Sequence, residues 1–246
     1  TSTTKEYADY LQQNNFRYSK ELANYYVKRE IRFIYASSAA TYGDGSNGYE
    51  DDIEKVNELR PLNKYGYSKH IFDKWIYKMH YYQRVVGLKY FNVYGPNEFH
   101  KGDMRSVVHK AFEQIRDNGK VKLFKSYKDE FADGEQKRDF IYVKDAVDMT
   151  LHFVDNWDHN GIFNIGTGTA RSWNDLVKAI FAAMDKEPEI EYIDMPDYLK
   201  PKYQYFTQAK TQRIREAGYD KAFNSIEEGV KDYIRNYLLE RYYLGM

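Results

Sequence analysis

Apolar positions along this chain switch repeatedly between a helical and a strand-like spacing. Tyr7, Leu11, Tyr18, Leu22 and Tyr25 share one helical face, which predicts an amphipathic helix over about residues 5–29. Residues 32–36 form a short apolar run of the buried-strand type. A polar, glycine-containing stretch from Gly43 to Pro61 reads as a loop, of a length that more often carries function than not. A second helix is predicted over about 65–83, with Phe72, Trp75, Ile76 and Met79 as its stripe, and a strand over 85–91. A helix near 103–118, strands near 121–124 and 138–143, a helix near 145–156 and a strand at 162–165 follow. Ser172 with Asp175 reads as a capping pair opening a helix through Met184, and Ser225-Ile226-Glu227-Glu228 as a full capping box before the last helix. Thr207 is expected to cap a shorter helix that Gly218 ends. The alternation predicts an α/β fold with a largely parallel sheet and a smaller mixed portion after it.

Composition narrows the function classes. The 246 residues carry 37 Lys+Arg against 37 Asp+Glu, a balance that argues against a dedicated nucleic-acid binder or a polybasic membrane surface. There is no Cys, hence no disulfide framework, thiolate metal site or Cys nucleophile. The six His lie at 70, 80, 100, 109, 152 and 159, with no spacing suited to zinc, so no metal is expected. No apolar run approaches the roughly 18 residues of a membrane span, and a cytoplasmic location is the expectation. The first residue is Thr1, not Met, which reads as a fragment or a trimmed chain.

The candidate chemistry begins with Tyr65-Gly66-Tyr67-Ser68-Lys69. With 26 Tyr present, a Tyr-x-x-x-Lys pair also arises by chance, as Tyr198 and Lys202 do around Pro201. Tyr65 and Lys69, however, sit where a helix begins, and a spacing of four puts both on one face. A phenol with a pKa near 10 is a poor base at neutral pH, and a nearby ammonium favours its ionised form. Tyr35-Ala36-Ser37-Ser38-Ala39-Ala40-Thr41-Tyr42-Gly43 places hydroxyls at the carboxyl end of a predicted strand, where ligands bind in open parallel sheets. Ser38 is placed to hold a substrate oxygen against Tyr65.

Together with Tyr90-Phe91-Asn92-Val93-Tyr94-Gly95-Pro96 and Lys137-Arg138-Asp139-Phe140-Ile141-Tyr142-Val143-Lys144-Asp145, this set resembles the extended short-chain dehydrogenase/reductase family of nucleotide-sugar enzymes. The segments Pro61–Lys69, His100-Lys101-Gly102, Gly161–Gly168 and Tyr203–Ala209 resemble its ADP-heptose 6-epimerase branch, and the likeness runs from Ser2-Thr3-Thr4 almost to the C-terminus. The resemblance implies a Rossmann-like, doubly wound parallel sheet, N-terminally incomplete, over 1–95 and about 138–165. A smaller α/β substrate-binding portion is implied over about 96–137 and 166–246. It implies inversion at C6 of the heptose in ADP-D-glycero-D-manno-heptose, through a transient ketone and a bound NADP, by a homo-oligomer. By position the acid/base pair falls on Tyr65 and Lys101, with Lys69 holding the cofactor ribose and lowering the phenol pKa, and Ser38 supporting the reacting oxygen. Asn14, Lys69, Val93 and Lys101 fall on cofactor positions. Asn92, Asp103, Lys110, Phe124, Lys125, Ser126, Tyr127, Arg138 and Tyr203 fall on substrate positions, Lys110 standing where the family has a histidine.

The family's opening strand and Gly-x-x-Gly-x-x-Gly turn are not found in the sequence. Gly43-Asp44-Gly45-Ser46-Asn47-Gly48 matches a Gly-x-Gly-x-x-Gly string, but the acidic run Glu50-Asp51-Asp52-Ile53-Glu54 follows it, and it is read as a coincidence. The chain as written is therefore expected to bind NADP poorly. Two alternatives stay open: a 4-epimerase acting on another nucleotide sugar, and a non-catalytic Rossmann-like scaffold.

Overall fold

The computed structural model describes residues 5–245, without the side chains of residues 5–8. Ser2-Thr3-Thr4 and the side chain of Tyr7 lie outside the described residues. The elements in chain order are α1 (Lys5–Gln12), a π-helical stretch (Gln13–Tyr18), α2 (Ser19–Val27), β1 (Phe33–Ser38), 3-10 turns at Ala39–Tyr42 and Ile53–Glu58, and α3 (Lys64–Lys78). After them come β2 (Val85–Tyr90), β3 (Asn92–Tyr94), a 3-10 segment (Phe99–Met104), α4 (Val107–Asn118), β4 (Val121–Phe124), β5 (Lys137–Tyr142) and α5 (Val143–Asp155). The chain continues through β6 (Gly161–Ile165), β7 (Ala170–Ser172), α6 (Trp173–Ala183), β8 (Ile190–Ile193), α7 (Gln212–Glu216) and α8 (Ile226–Tyr233).

Several boundaries differ from the sequence pattern for local reasons. The helix expected over 5–29 is interrupted by the π-helical stretch, within which the Asn15 amide donates to Ser68 Oγ at 3.0 Å. Helix α3 stops at Lys78, short of residue 83, and His80 beyond it takes a left-handed φ of 56°. Helix α4 begins at Val107, not near 103, because the Ser106 hydroxyl caps it by accepting from His109 N–H. Both Ser172 and Ser225 form reciprocal capping boxes, with Asp175 and Glu228 respectively. The expected cap at Thr207 does not form. Thr207 is buried before the helix, α7 starts at Gln212 without a side-chain cap, and Gly218 follows it at φ 89°.

The chain divides into two compact units. The first comprises the chain through Phe91 with Val147–Gly168 and Thr207–Asp220. Its sheet has the order β1-β2-β6, all parallel, with Phe33 opposite Val85, Ser38 opposite Tyr90, and Val86 opposite Gly161. Parallel strands need both faces covered, and Ala23 and Val27 of α2 pack with Phe72 and Ile76 of α3 against Tyr35 and Val85. The 43–61 loop is tied into this unit by buried groups. Asn164 N–H donates to Asp51 Oδ2 at 2.8 Å, and the Asn164 amide takes a 2.7 Å hydrogen bond from Tyr42 and donates to Tyr49 O.

The second unit comprises Asn92–Ala146, Thr169–Phe206 and Lys221 onward. β3 pairs parallel with β5, β5 antiparallel with β7, and β4 parallel with β8. Its core gathers Ile115 of α4, Phe140 and Tyr142 of β5, Leu176 and Ile180 of α6, and Val230 and Tyr233 of α8. This places residues 92–95 and 138–146 in the second unit and 166–168 and 207–220 in the first, whereas the expected division gave 1–95 and 138–165 to the first and 166–246 to the second. For 138–146 the physical reason is that Phe140 and Tyr142 pack into the α4–α6–α8 core.

Candidate active site

Ser38, Tyr65 and Lys69 come together at the carboxyl end of β1. The Asn63 side chain starts α3 by accepting from Gly66 N–H at 2.8 Å. From that start, Tyr65 and Lys69 share the helix face turned toward β1. Gly66 makes the close seating possible, since a Cβ there would lie 2.6 Å from Ala40 O in the turn that follows Ser38. Burial pushes the Tyr65 phenol above its ordinary 10, and a hydrogen bond with Ser38 pulls it back down. Burial lowers the Lys69 ammonium, opposed by the charge of Asp73, and Nζ donates to Ala36 O at 2.9 Å. The phenol therefore stays above its ordinary value in this arrangement, and the group that opposes the rise is Ser38, where the expectation named Lys69.

Behind the triad stands a buried polar set that the sequence reading missed. Asp73 accepts from Tyr35 Oη at 3.1 Å and Ser37 Oγ at 2.7 Å, and pairs with Lys89 at 3.0 Å. Its spacing of four from Lys69 was the available signal, because it extends the Tyr65–Lys69 face by one turn.

In the second unit, Lys101 is exposed and lies 3.8 Å from the buried Glu98. Glu98 also accepts from Ser106 N–H at 3.0 Å and Ser106 Oγ at 2.6 Å, which closes the 99–105 segment onto the start of α4. Lys110 Nζ donates to the Asp103 carbonyl. Asn92 and Val93 line a cavity of about 220 Å³ with Arg105, Phe140 and Trp173. Phe124 and Tyr203 meet edge to face, and the Arg138 guanidinium lies over both Tyr203 and Trp173, 5.2 and 5.6 Å from the ring centres. Arg138 is buried, and it donates to the carbonyls of Lys137 and Gln204. These contacts fix the guanidinium between the two rings. Trp173 has no counterpart among the expected residues; only its place directly after the Ser172 cap marked it. Lys125 and Tyr127 both bond to Asp194, and Ser126 Oγ bonds to Lys128 O. Asn14, expected at the cofactor, is exposed and donates to Tyr10 O within its own helix.

Ala36 is exposed between the buried Tyr35 and Ser37, and its small side chain leaves the strand end open beside Lys69, whose Nζ bonds to the Ala36 carbonyl. The Gly43–Gly48 string leads into a loop and then a 3-10 turn, so no α-helix N-terminus stands behind it for a pyrophosphate. Among the described residues no helix is long and apolar enough to cross a membrane.

The model of the family described as NAD dependent epimerase/dehydratase matches residues 1–166. The chain is 53% identical over 238 residues to an ADP-L-glycero-D-manno-heptose-6-epimerase of Nitratidesulfovibrio vulgaris, covering 97% of this chain and 74% of that one. It is 52% identical to the enzyme of the same name from Fusobacterium nucleatum, over the same shares. Among solved structures it is similar to the Helicobacter pylori ADP-L-glycero-D-manno-heptose-6-epimerase, with a TM-score of 0.76, 28% identity, and coverage of 93% of this chain and 67% of that one. With a parallel α/β sheet, a Ser-Tyr-Lys set at its carboxyl edge and a family match over residues 1–166, the chain belongs to the NAD dependent epimerase/dehydratase family.

Proposed function

We propose that this protein inverts C6 of the heptose in ADP-D-glycero-D-manno-heptose, using NADP. The observation that carries the reaction class is the clustering of Ser38, Tyr65 and Lys69 at the end of β1; the substrate follows from the name shared by relatives at 52–53% identity. A nicotinamide cofactor held by Lys69 would supply the acceptor and donor of the C6 hydride, so that the net change is an inversion. Tyr65 carries the proton of the reacting hydroxyl at Oη, and Ser38 holds the same oxygen. Lys69 holds the cofactor ribose. Lys101, on its exposed segment, serves as the proton carrier for the opposite orientation of the sugar.

Asn92 and Val93, which line the second-unit cavity, are assigned to the nucleotide sugar, as are Asp103, Lys110, Phe124 to Tyr127, Arg138 and Tyr203. A cytoplasmic homo-oligomer is part of the same reading. Tyr65→Phe and Lys101→Met test it. In a chain that also carries the family's glycine-rich turn, each is expected to slow C6 inversion by about 10²-fold or more while cofactor binding persists. Unchanged rates in both would remove the assigned roles.

A further inference from the structure

A lysine in the middle of a parallel strand is costly to bury, and a lone buried ion pair is weak evidence for stability. Lys89 is buried in β2 all the same, with its Nζ 3.0 Å from Asp73 Oδ2 and donating to Thr41 Oγ1 at 2.6 Å. The pair does two things at once. Asp73, on α3 one turn beyond Lys69, accepts from Tyr35 and Ser37 of β1, so it fixes the Tyr65–Lys69 helix against the strand that ends in Ser38. Lys89 pins Thr41, whose hydroxyl donates to the Ser38 carbonyl at 2.8 Å and so fixes the turn that follows Ser38. Because Oγ1 has one proton, and that proton goes to Ser38 O, the lysine is the group that can donate to Thr41. Its ammonium also lies 4.8 Å from the centre of the Tyr42 ring in the same turn.

We propose that Asp73, Lys89 and Thr41 are positioning residues that set the Ser38 hydroxyl against the Tyr65 phenol. The chain Asp73–Lys89–Thr41–Ser38 joins the helix that carries the phenol to the strand end that carries its partner. None of the three contacts substrate in this assignment; each acts through Ser38 or through the seat of α3. The inference rests on the reading of Tyr65 as the proton carrier, yet it is tested by the phenol's own titration, which can be read whether or not the protein epimerises anything.

The test uses the protein labelled with Cζ-¹³C tyrosine, the Tyr65 resonance being assigned by its loss in Tyr65→Phe. The group bonded to the phenol is Ser38 from β1, and the charged groups of its own helix on the same face are Lys69 and, one turn further along, Asp73. Thr41→Val keeps the shape and removes the hydroxyl; it is expected to raise the Tyr65 midpoint by about half a unit or more, since the phenolate loses an aligned donor. Thr41→Ser keeps the hydroxyl and is expected to restore the parent midpoint. Lys89→Met with Asp73→Asn removes both charges without stranding either, and is expected to fold and to show the same upward shift. A Tyr65 midpoint in Thr41→Val that matches the parent, or an equal shift in Thr41→Ser, would overturn the proposal. Loss of epimerase activity in the parent with these shifts intact would instead overturn the functional reading and leave the positioning role standing.

Discussion

Gly66→Ala sets two opposed effects against each other within the active-site helix. Alanine is the better helix former, and in an unobstructed helix interior the exchange gains about 1 kcal/mol. Here the new methyl would lie 2.6 Å from Ala40 O, 3.1 Å from Ala40 C and 3.2 Å from Pro61 Cβ, where ordinary contact begins at 3.4 Å. The first neighbour is backbone, held in a turn by the Thr41-to-Ser38 hydrogen bond, so it yields poorly. Relief therefore requires α3 to move off the turn by roughly 0.8 Å, the deficit in the closest contact, an overpacking that costs about 1–3 kcal/mol. The balance comes out at about 1 kcal/mol of net destabilisation, read as a lower urea midpoint at constant m. The same displacement carries Tyr65 and Lys69 away from Ser38, and a shift of this size costs up to about 10²-fold in rate. A variant as stable as the parent, with an unmoved Tyr65 resonance, would refute the claim that Gly66 is present for close approach.

Two buried groups give the stability an unusual pH signature. Burial raises the Asp51 carboxyl from 3.8 to about 6, partly offset by the hydrogen bond from Asn164 N–H and the charge of Arg213. The folded state binds that proton more tightly than the unfolded one, so the stability is fully present below pH 3.8 and is lost as pH rises through 6, by roughly 3 kcal/mol. Asp51→Asn is expected to be more stable than the parent at pH 8 and indistinguishable from it at pH 3; equal stabilities at pH 8 would contradict the burial argument. Burial lowers His70 from 6.5 to about 4, the Asp73 charge opposing, so its contribution runs the other way: present above pH 6.5 and lost as pH falls to 4, again by roughly 3 kcal/mol. His70→Leu is expected to remove that acid loss and, by deleting a buried Nδ1 with no hydrogen-bond partner, to gain about 1 kcal/mol or more at pH 7. In the parent the two slopes nearly cancel between pH 4 and 6.5. Urea titrations of the single variants should expose each slope alone, and a parent curve as steep as either variant would count against the pair.

The long elements were legible because their side chains repeat. The α3 stripe, the β2 run and the serine capping boxes all announce themselves through spacing, and each stands close to where that spacing puts it. Strands of three or four residues, such as Asn92–Tyr94, Ala170–Ser172 and Ile190–Ile193, are too short to establish a period. Thr207 misled because a cap residue at the right distance from a glycine looks the same whether the segment after it is helical or extended. The Ser38–Tyr65–Lys69 set was readable from motif and register. The spacing of Asp73 from Lys69 marked its helix face but not its burial, and Lys89 carried no signal, because charged residues read as solvated until a partner 16 residues away is seen. Arg138 shows the converse: the motif marks the residue, while its neighbours Tyr203 and Trp173 are seen only in space.

The central claim is that Tyr65 and Lys101, one for each orientation of the sugar and supported by Ser38 and Lys69, invert a carbon without exchanging its hydrogen with solvent. The direct measurement follows the purified protein with NADP and ADP-D-glycero-D-manno-heptose in D₂O by ¹H NMR. The account predicts that the two C6 epimers equilibrate with protium retained at C6, and that Tyr65→Phe slows the process by about 10²-fold or more. Deuterium appearing at C6, or interconversion of UDP-galactose and UDP-glucose in place of the heptose epimers, would contradict it.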